Sequence, residues 1–107
     1  MLAFANIAVG NTAGPSAIDG REIFLNPQKG NCAACHAVPG EPSPHDKSRM
    51  GPALAGIKER FPERTKLRAA IRDLSETVPN TIMPPYGKHR ILSDAEIDAL
   101  VRYLESR

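Results

Sequence analysis

The chain has no tryptophan, and its 107 residues hold only three phenylalanines and two tyrosines. So sparse an aromatic set gives a thin side-chain core for a domain of this length. Formal charge is also small: 14 basic residues stand against 12 acidic ones, for a net +2. That excludes a nucleic-acid binder of the ordinary kind, which needs a clustered basic stripe to neutralise phosphates. No stretch approaches the roughly 18 to 20 consecutive apolar residues that span a bilayer. There are no internal repeats, and the length leaves room for one domain only. Cysteine occurs just twice, at Cys32 and Cys35.

What the sequence does contain is organised around that pair. In Cys32-Ala33-Ala34-Cys35-His36 the two thiols stand three apart and a histidine follows directly. This is the signature of covalent c-type haem attachment. Thiols three apart on one helical turn reach both vinyl groups of a haem while the adjacent imidazole comes under the iron, and two alanines keep the turn slim. A buried porphyrin also supplies the apolar surface that the aromatic count lacks. The rival readings are a zinc half-site completed by His45 or His89 and a thiol redox pair. The first lacks a second ligand pair at closed spacing, and the second lacks a βαβ pattern. With both cysteines tethered to haem there is no disulfide, and cysteine usage says nothing about compartment.

The chain reads as all-α. Met1 to Gly10 is apolar and small; Ala3-Phe4-Ala5 has the small-x-small form of a signal cleavage site without a basic n-region. Residues 1–15 form the opening segment. They are taken as a leader remnant or flexible extension, and the domain as 16–107. A first helix is expected from an N-cap at Ser16 to Asn26-Pro27. Gly20 and Phe24 share a face of it, and Tyr103 is the expected partner for the notch at Gly20. Lys29-Gly30-Asn31 forms the turn before Cys32, with Gly30 free to take a positive φ. Residues 37–52 are rich in proline and glycine and form an irregular loop closed by Gly51-Pro52-Ala53-Leu54. The Pro52 carbonyl is the candidate acceptor for the remaining imidazole N–H. A second helix is expected from Pro62 to about Ser75, on the spacing of Leu67, Ala70, Ile71 and Leu74. Pro79, Pro84, Pro85 and Gly87 make residues 77–89 an extended loop. The last helix opens with a Ser93/Glu96 capping box and a Leu92/Ile97 staple, and buries Ile97, Leu100, Val101 and Leu104.

His36 fills one axial position of the iron, and Met50, Met83, His45 and His89 compete for the other. Met50 and His45 sit in a loop that is still leaving the histidine side. Met83 comes after a helix that can wrap the cofactor, and the prolines behind it present a flexible thioether from a rigid backbone. It is the assigned ligand, with His89 next. His45 and His89 otherwise read as surface loop histidines. A His/Met iron is six-coordinate and passes single electrons. Lys29, Lys88 and Arg90 flank the motif and the methionine loop, where they would steer an acidic redox partner or simply be solvated.

Three stretches carry a resemblance. The attachment motif, Gly51-Pro52-Ala53-Leu54 and a methionine loop before the last helix resemble class I cytochromes c, whose fold is a small helical domain wrapped around one haem with its terminal helices packed together. In finer text, Lys29-Gly30-Asn31-Cys32, Gly51-Pro52-Ala53-Leu54-Ala55-Gly56-Ile57 with Arg60-Phe61-Pro62, and Pro79-Asn80-Thr81-Ile82-Met83-Pro84-Pro85-Tyr86-Gly87 resemble the SoxX family. That family is the monohaem subunit of a sulfur-oxidation cytochrome. The resemblance implies a periplasmic protein paired with a SoxA-like subunit. It takes electrons released when thiosulfate is joined to a cysteine of a SoxY-type carrier, and passes them to a soluble cytochrome c. The thiosulfotransferase chemistry would then reside on the partner, since this chain has no free thiol. The alternative is a free-standing soluble cytochrome c shuttle of another pathway.

Overall fold

The computed structural model describes residues 18–41 and 50–107. Four helices occur there: α1 (Gly20–Leu25), α2 (Ile57–Arg60), α3 (Arg64–Arg72) and α4 (Asp94–Glu105). Two single 3-10 turns, Cys32–Ala34 and Leu74–Glu76, complete the regular structure, and no strand appears among the described residues. The all-α expectation holds. The leader residues, Ser16 and His45 lie outside the described residues.

α1 starts at Gly20 rather than after Ser16. Asp19 is its N-cap, its carboxylate accepting the Arg21 N–H at 3.0 Å. A short acidic side chain in extended backbone is a strong helix initiator. Asn26 precedes Pro27 and is therefore pushed out of helical geometry, which ends the helix after six residues.

The notch at Gly20 meets α4 as anticipated. A Cβ there would overlap the Ala99 carbonyl and stand 2.8 Å from Tyr103 Cβ. The backbones of the first and last helices thus touch without an intervening side chain. One turn on, the Phe24 and Tyr103 rings pack tilted at 50° with centroids 5.6 Å apart. α4 carries the full capping box: Glu96 N–H donates to Ser93 Oγ at 3.1 Å, and Ser93 N–H to Glu96 Oε1 at 2.9 Å. Leu92 and Ile97 are both buried beside it, as a staple requires.

α3 is shorter than its apolar spacing implies. Pro62 stands outside it, ahead of Glu63, which takes the N-cap place in extended conformation. At the other end Asp73 breaks the helix: its Oδ1 accepts from Ser75 N at 3.1 Å and Ser75 Oγ at 2.6 Å, starting a new 3-10 turn. An aspartate that captures its own downstream backbone competes directly with helical bonding. α2 has no counterpart in the sequence reading. It is one turn launched from Gly56 at φ +60 and buries Ile57, too short to leave a periodic signal.

Ion pairs fasten α3 to α4, Arg64 to Glu105 at 2.6 Å and Arg68 to Asp98 at 2.7 Å. Glu41 fastens the loop after the cysteine motif to the helix crossing. Its Oε2 accepts from Arg21 Nε and from Tyr103 OH, both at 2.8 Å. Those bonds hold the Glu41 carboxyl below its ordinary value. Burial, then the bond to Glu41, pushes the Tyr103 phenol up to about 12.

Gly20→Ala is the direct test of the crossing. Alanine gains up to about 1 kcal/mol of helix propensity over glycine, whereas forcing a methyl into a packed contact costs about 1–3 kcal/mol. Because the contact here is with backbone that cannot swing aside, the clash prevails. Urea unfolding should show a net loss of about 1–2 kcal/mol.

Candidate haem site

The pentapeptide forms its slim turn through three short-range bonds. Ala34 N–H donates to Asn31 O at 3.2 Å, Cys35 N–H to Cys32 O at 3.1 Å, and His36 N–H to Cys32 O at 2.9 Å. The left-handed residue that launches it is Asn31, at φ 50, and not Gly30. Asparagine tolerates that region because its short polar side chain bonds locally. Gly30 is needed instead for close approach. A Cβ on it would stand 2.9 Å from Ile23 O and 3.0 Å from Cys32 Sγ.

The two sulfurs are free of one another. Burial pushes the Cys32 thiol up to about 12, with the Cys35 charge adding a smaller upward effect. A redox-active pair needs a lowered thiol pKa, and burial acts on Cys32 in the opposite direction. Among the described residues no three or more of His, Cys, Asp and Glu gather in a way that could hold a metal ion. The zinc half-site reading therefore finds no support among them.

His36 is held as expected. Its Nδ1 lies 2.7 Å from the Pro52 carbonyl oxygen. A carbonyl only accepts, so Nδ1 carries the proton and Nε2 keeps its lone pair for another use. The segment that brings Pro52 there is itself pinned to the motif: Gly51 N–H donates to Cys35 O at 2.7 Å and Leu54 N–H to Ala37 O at 2.8 Å. Arg60 reaches back from α2 to the Ala53 carbonyl at 2.8 Å. Gly51 lies flat against the imidazole, where a Cβ would be 2.7 Å from Nδ1.

These residues open onto a cleft of about 350 Å³, within the range of pockets that hold cofactors. Two chain segments line it. One contributes Asn31, Cys32, Cys35, His36 and Met50 to Pro52, and the other Leu74, Val78, Thr81 to Pro84 and Tyr86. No charged side chain is among them. An apolar slot with two thiols, an imidazole lone pair and a thioether fits a covalently held haem.

Cys32, Cys35, His36, Pro52 and Met83 therefore all line one cleft. Met50 lines it too, but it adjoins Gly51 on the His36 segment and is 60% exposed. Met83 is partly buried and packed against the core. His89 does not line the cleft; it is exposed in the turn that follows. Of the flanking cations, Lys29 pairs with Glu96 at 2.6 Å and Lys88 with Asp73 at 3.6 Å, so two of the three are engaged by carboxylates of the chain itself.

Two site residues went without a role in the sequence reading. Tyr86 OH donates to Gly30 O at 2.5 Å, bridging the two segments that line the cleft, and burial pushes its phenol up to about 12. Nothing in a linear sequence ties positions 56 apart, although a tyrosine among prolines needs a partner once buried. Thr81 Oγ1 accepts the Met83 N–H at 3.1 Å, a local bond that a threonine two residues upstream makes available.

Gly51→Ala is expected to turn the His36 ring away from Pro52 and to destabilise the fold by about 1–3 kcal/mol in urea. Nitrogen NMR of His36 should show a persistent Nδ1–H in the wild type and its loss in the variant. An unchanged Nδ1–H would mean that this wall does not hold the ring.

A family model for cytochrome c matches residues 17–107. No curated protein matches the chain. With the helical fold, the apolar cleft and the cysteine and histidine spacing at its wall, the chain belongs to the cytochrome c family and is an electron-transfer protein with covalently bound haem c.

Proposed function

We propose that the chain is the single-haem electron-transfer subunit of a periplasmic thiosulfate-oxidising complex of the SoxX kind, with Cys32 and Cys35 as tethers and His36 and Met83 as axial ligands. The observation that carries this reading is the bond from Tyr86 OH to Gly30 O. It joins in space two of the stretches on which the SoxX resemblance rests, the one leading into Cys32 and the one running from Met83 to Gly87. Of those stretches Asn31, Cys32, Met83, Pro84 and Tyr86 line the cleft, and the bond braces its two walls against each other.

Bound haem would supply a one-electron iron couple, with Cys32 and Cys35 to tether it and His36 and Met83 to ligate the iron, a donor set suited to electron transfer rather than to oxygen or peroxide chemistry. The protein's own groups do the rest. The Pro52 carbonyl fixes the imidazole tautomer and so its basicity. Thr81 and Pro84 restrain the backbone on either side of Met83, so that a flexible thioether has a defined origin. The cleft lining is apolar and carries no charged side chain, which favours small reorganisation on electron transfer. With both cysteines consumed, no thiol remains here to handle sulfur. The thiosulfotransferase step then belongs to a SoxA-like partner acting on a SoxY-type carrier, and a soluble cytochrome c is the electron acceptor.

Met83→Ala is expected to abolish the sulfur-to-iron band in the far red and to lower the reduction potential; survival of the band would remove Met83 as the ligand. For the pathway, co-purification with a SoxA-like chain and thiosulfate-dependent haem reduction only in its presence are expected. Reduction that proceeds equally well without such a chain would instead favour a free-standing shuttle.

A further inference from the structure

Among the described residues Asp73 is the charged side chain that is buried, and ending α3 and pairing with Lys88 leave one of its oxygens without a hydrogen bond. Asp73 is only 5% exposed, and its Oδ2 has no hydrogen-bond partner. Ser75 satisfies Oδ1 twice, through its N–H and its hydroxyl. The nearest cation to Oδ2 is Lys88 Nζ at 3.6 Å, an ion pair across a gap too long for a hydrogen bond. The Ser75 bonds, with Lys88 contributing less, hold the carboxyl below its ordinary value, so it is an anion. Ending α3 does not require that charge, because asparagine or serine makes the same local turn.

The geometry of the neighbouring chain gives the charge a use. Ser75 lies on the limb that leaves α3 towards Met83, and Lys88 on the limb that returns from it. The returning limb is gripped at the same place by backbone: Gly87 and Lys88 N–H both donate to Arg72 O, at 3.2 and 3.1 Å. Gly87 packs so closely there that a Cβ would be 2.7 Å from Arg72 Cγ. The loop base is therefore closed at Arg72 and Asp73, while Leu74, Val78 and Met83 within the loop line the cleft.

We propose that Asp73 is a positioning residue which, by bridging Ser75 and Lys88, closes the base of the 74–88 loop and so keeps the Met83 sulfur in the cleft against competing ligands. This rests on Met83 being the second axial ligand. Asp73 touches neither haem nor Met83; it acts through the two limbs of the loop.

The test is an imidazole titration of the oxidised holoprotein, followed by loss of the far-red sulfur-to-iron band. Lys88→Ala alters an exposed side chain and leaves the buried contacts in place. It should tighten imidazole binding about threefold, the scale of a partly exposed ion pair. Asp73→Asn, which removes the charge at the junction, should tighten it about tenfold. Glu105→Gln serves as control. It breaks the Arg64 pair between α3 and α4, away from the loop, and should bind imidazole as the wild type does. Should Asp73→Asn fail to fold, Lys88→Ala decides alone. Wild-type affinity in the variants overturns the proposal, and so does an equal gain in the Glu105→Gln control, which would mark general loosening. A wild type without the far-red band removes the Met83 assignment and this proposal together, whereas a band with unaltered affinities removes this proposal only.

Discussion

The contact between Gly20 and the Ala99–Tyr103 stretch of α4 is the constraint on which the rest of the domain depends. Because a methyl group has no space there, the first and last helices meet backbone to backbone. α1 then delivers the chain to Gly30 and the cysteine turn. α4 follows directly from the limb that returns from Met83. Fixing the crossing therefore fixes the separation of the two segments that line the cleft. Tyr86 and Gly30 add a strut nearer the site, and Glu41 ties the outgoing loop to the same crossing through Arg21 and Tyr103. A domain with so few aromatics places two of them, Phe24 and Tyr103, at this one junction.

Much of the site is legible in the sequence because its chemistry is local. Cys32 to His36 is a contiguous turn, and its identity needs no tertiary information. The Ser93/Glu96 box and the Leu92/Ile97 staple are read for the same reason, since each joins residues within one helical turn. Gly20 and Tyr103 were paired across the chain only because a glycine in an apolar face asks for a close neighbour. The Pro52 carbonyl is legible because a ligating imidazole needs an acceptor for its other N–H.

The misses share a different cause. Helix periodicity continued through Leu74, but the Asp73 carboxylate captured Ser75 and ended α3 early, a choice made by side-chain chemistry that hydropathy spacing ignores. Ser16 and Asp19 are both acceptable caps by residue type, and it is Asp19, in extended backbone, that starts α1. Gly30 is free to take the positive φ of that turn, yet Asn31 takes it, and the closeness of Gly30 to Ile23 and Cys32 leaves no mark in one dimension. Lys29 and Lys88 resembled free steering charges, yet their carboxylate partners lie 67 and 15 positions away.

What emerges is a division of labour within a small chain. The crossing sets the spacing, the Gly51 to Leu54 segment holds the His36 ring, and the 74–88 loop brings Met83 to the cleft. The measurement that tests this account most directly is X-ray absorption at the iron edge of the oxidised protein. Five nitrogen scatterers and one sulfur are the predicted first shell. A shell of nitrogen or oxygen alone would contradict the pairing of His36 with Met83 and with it the central claim.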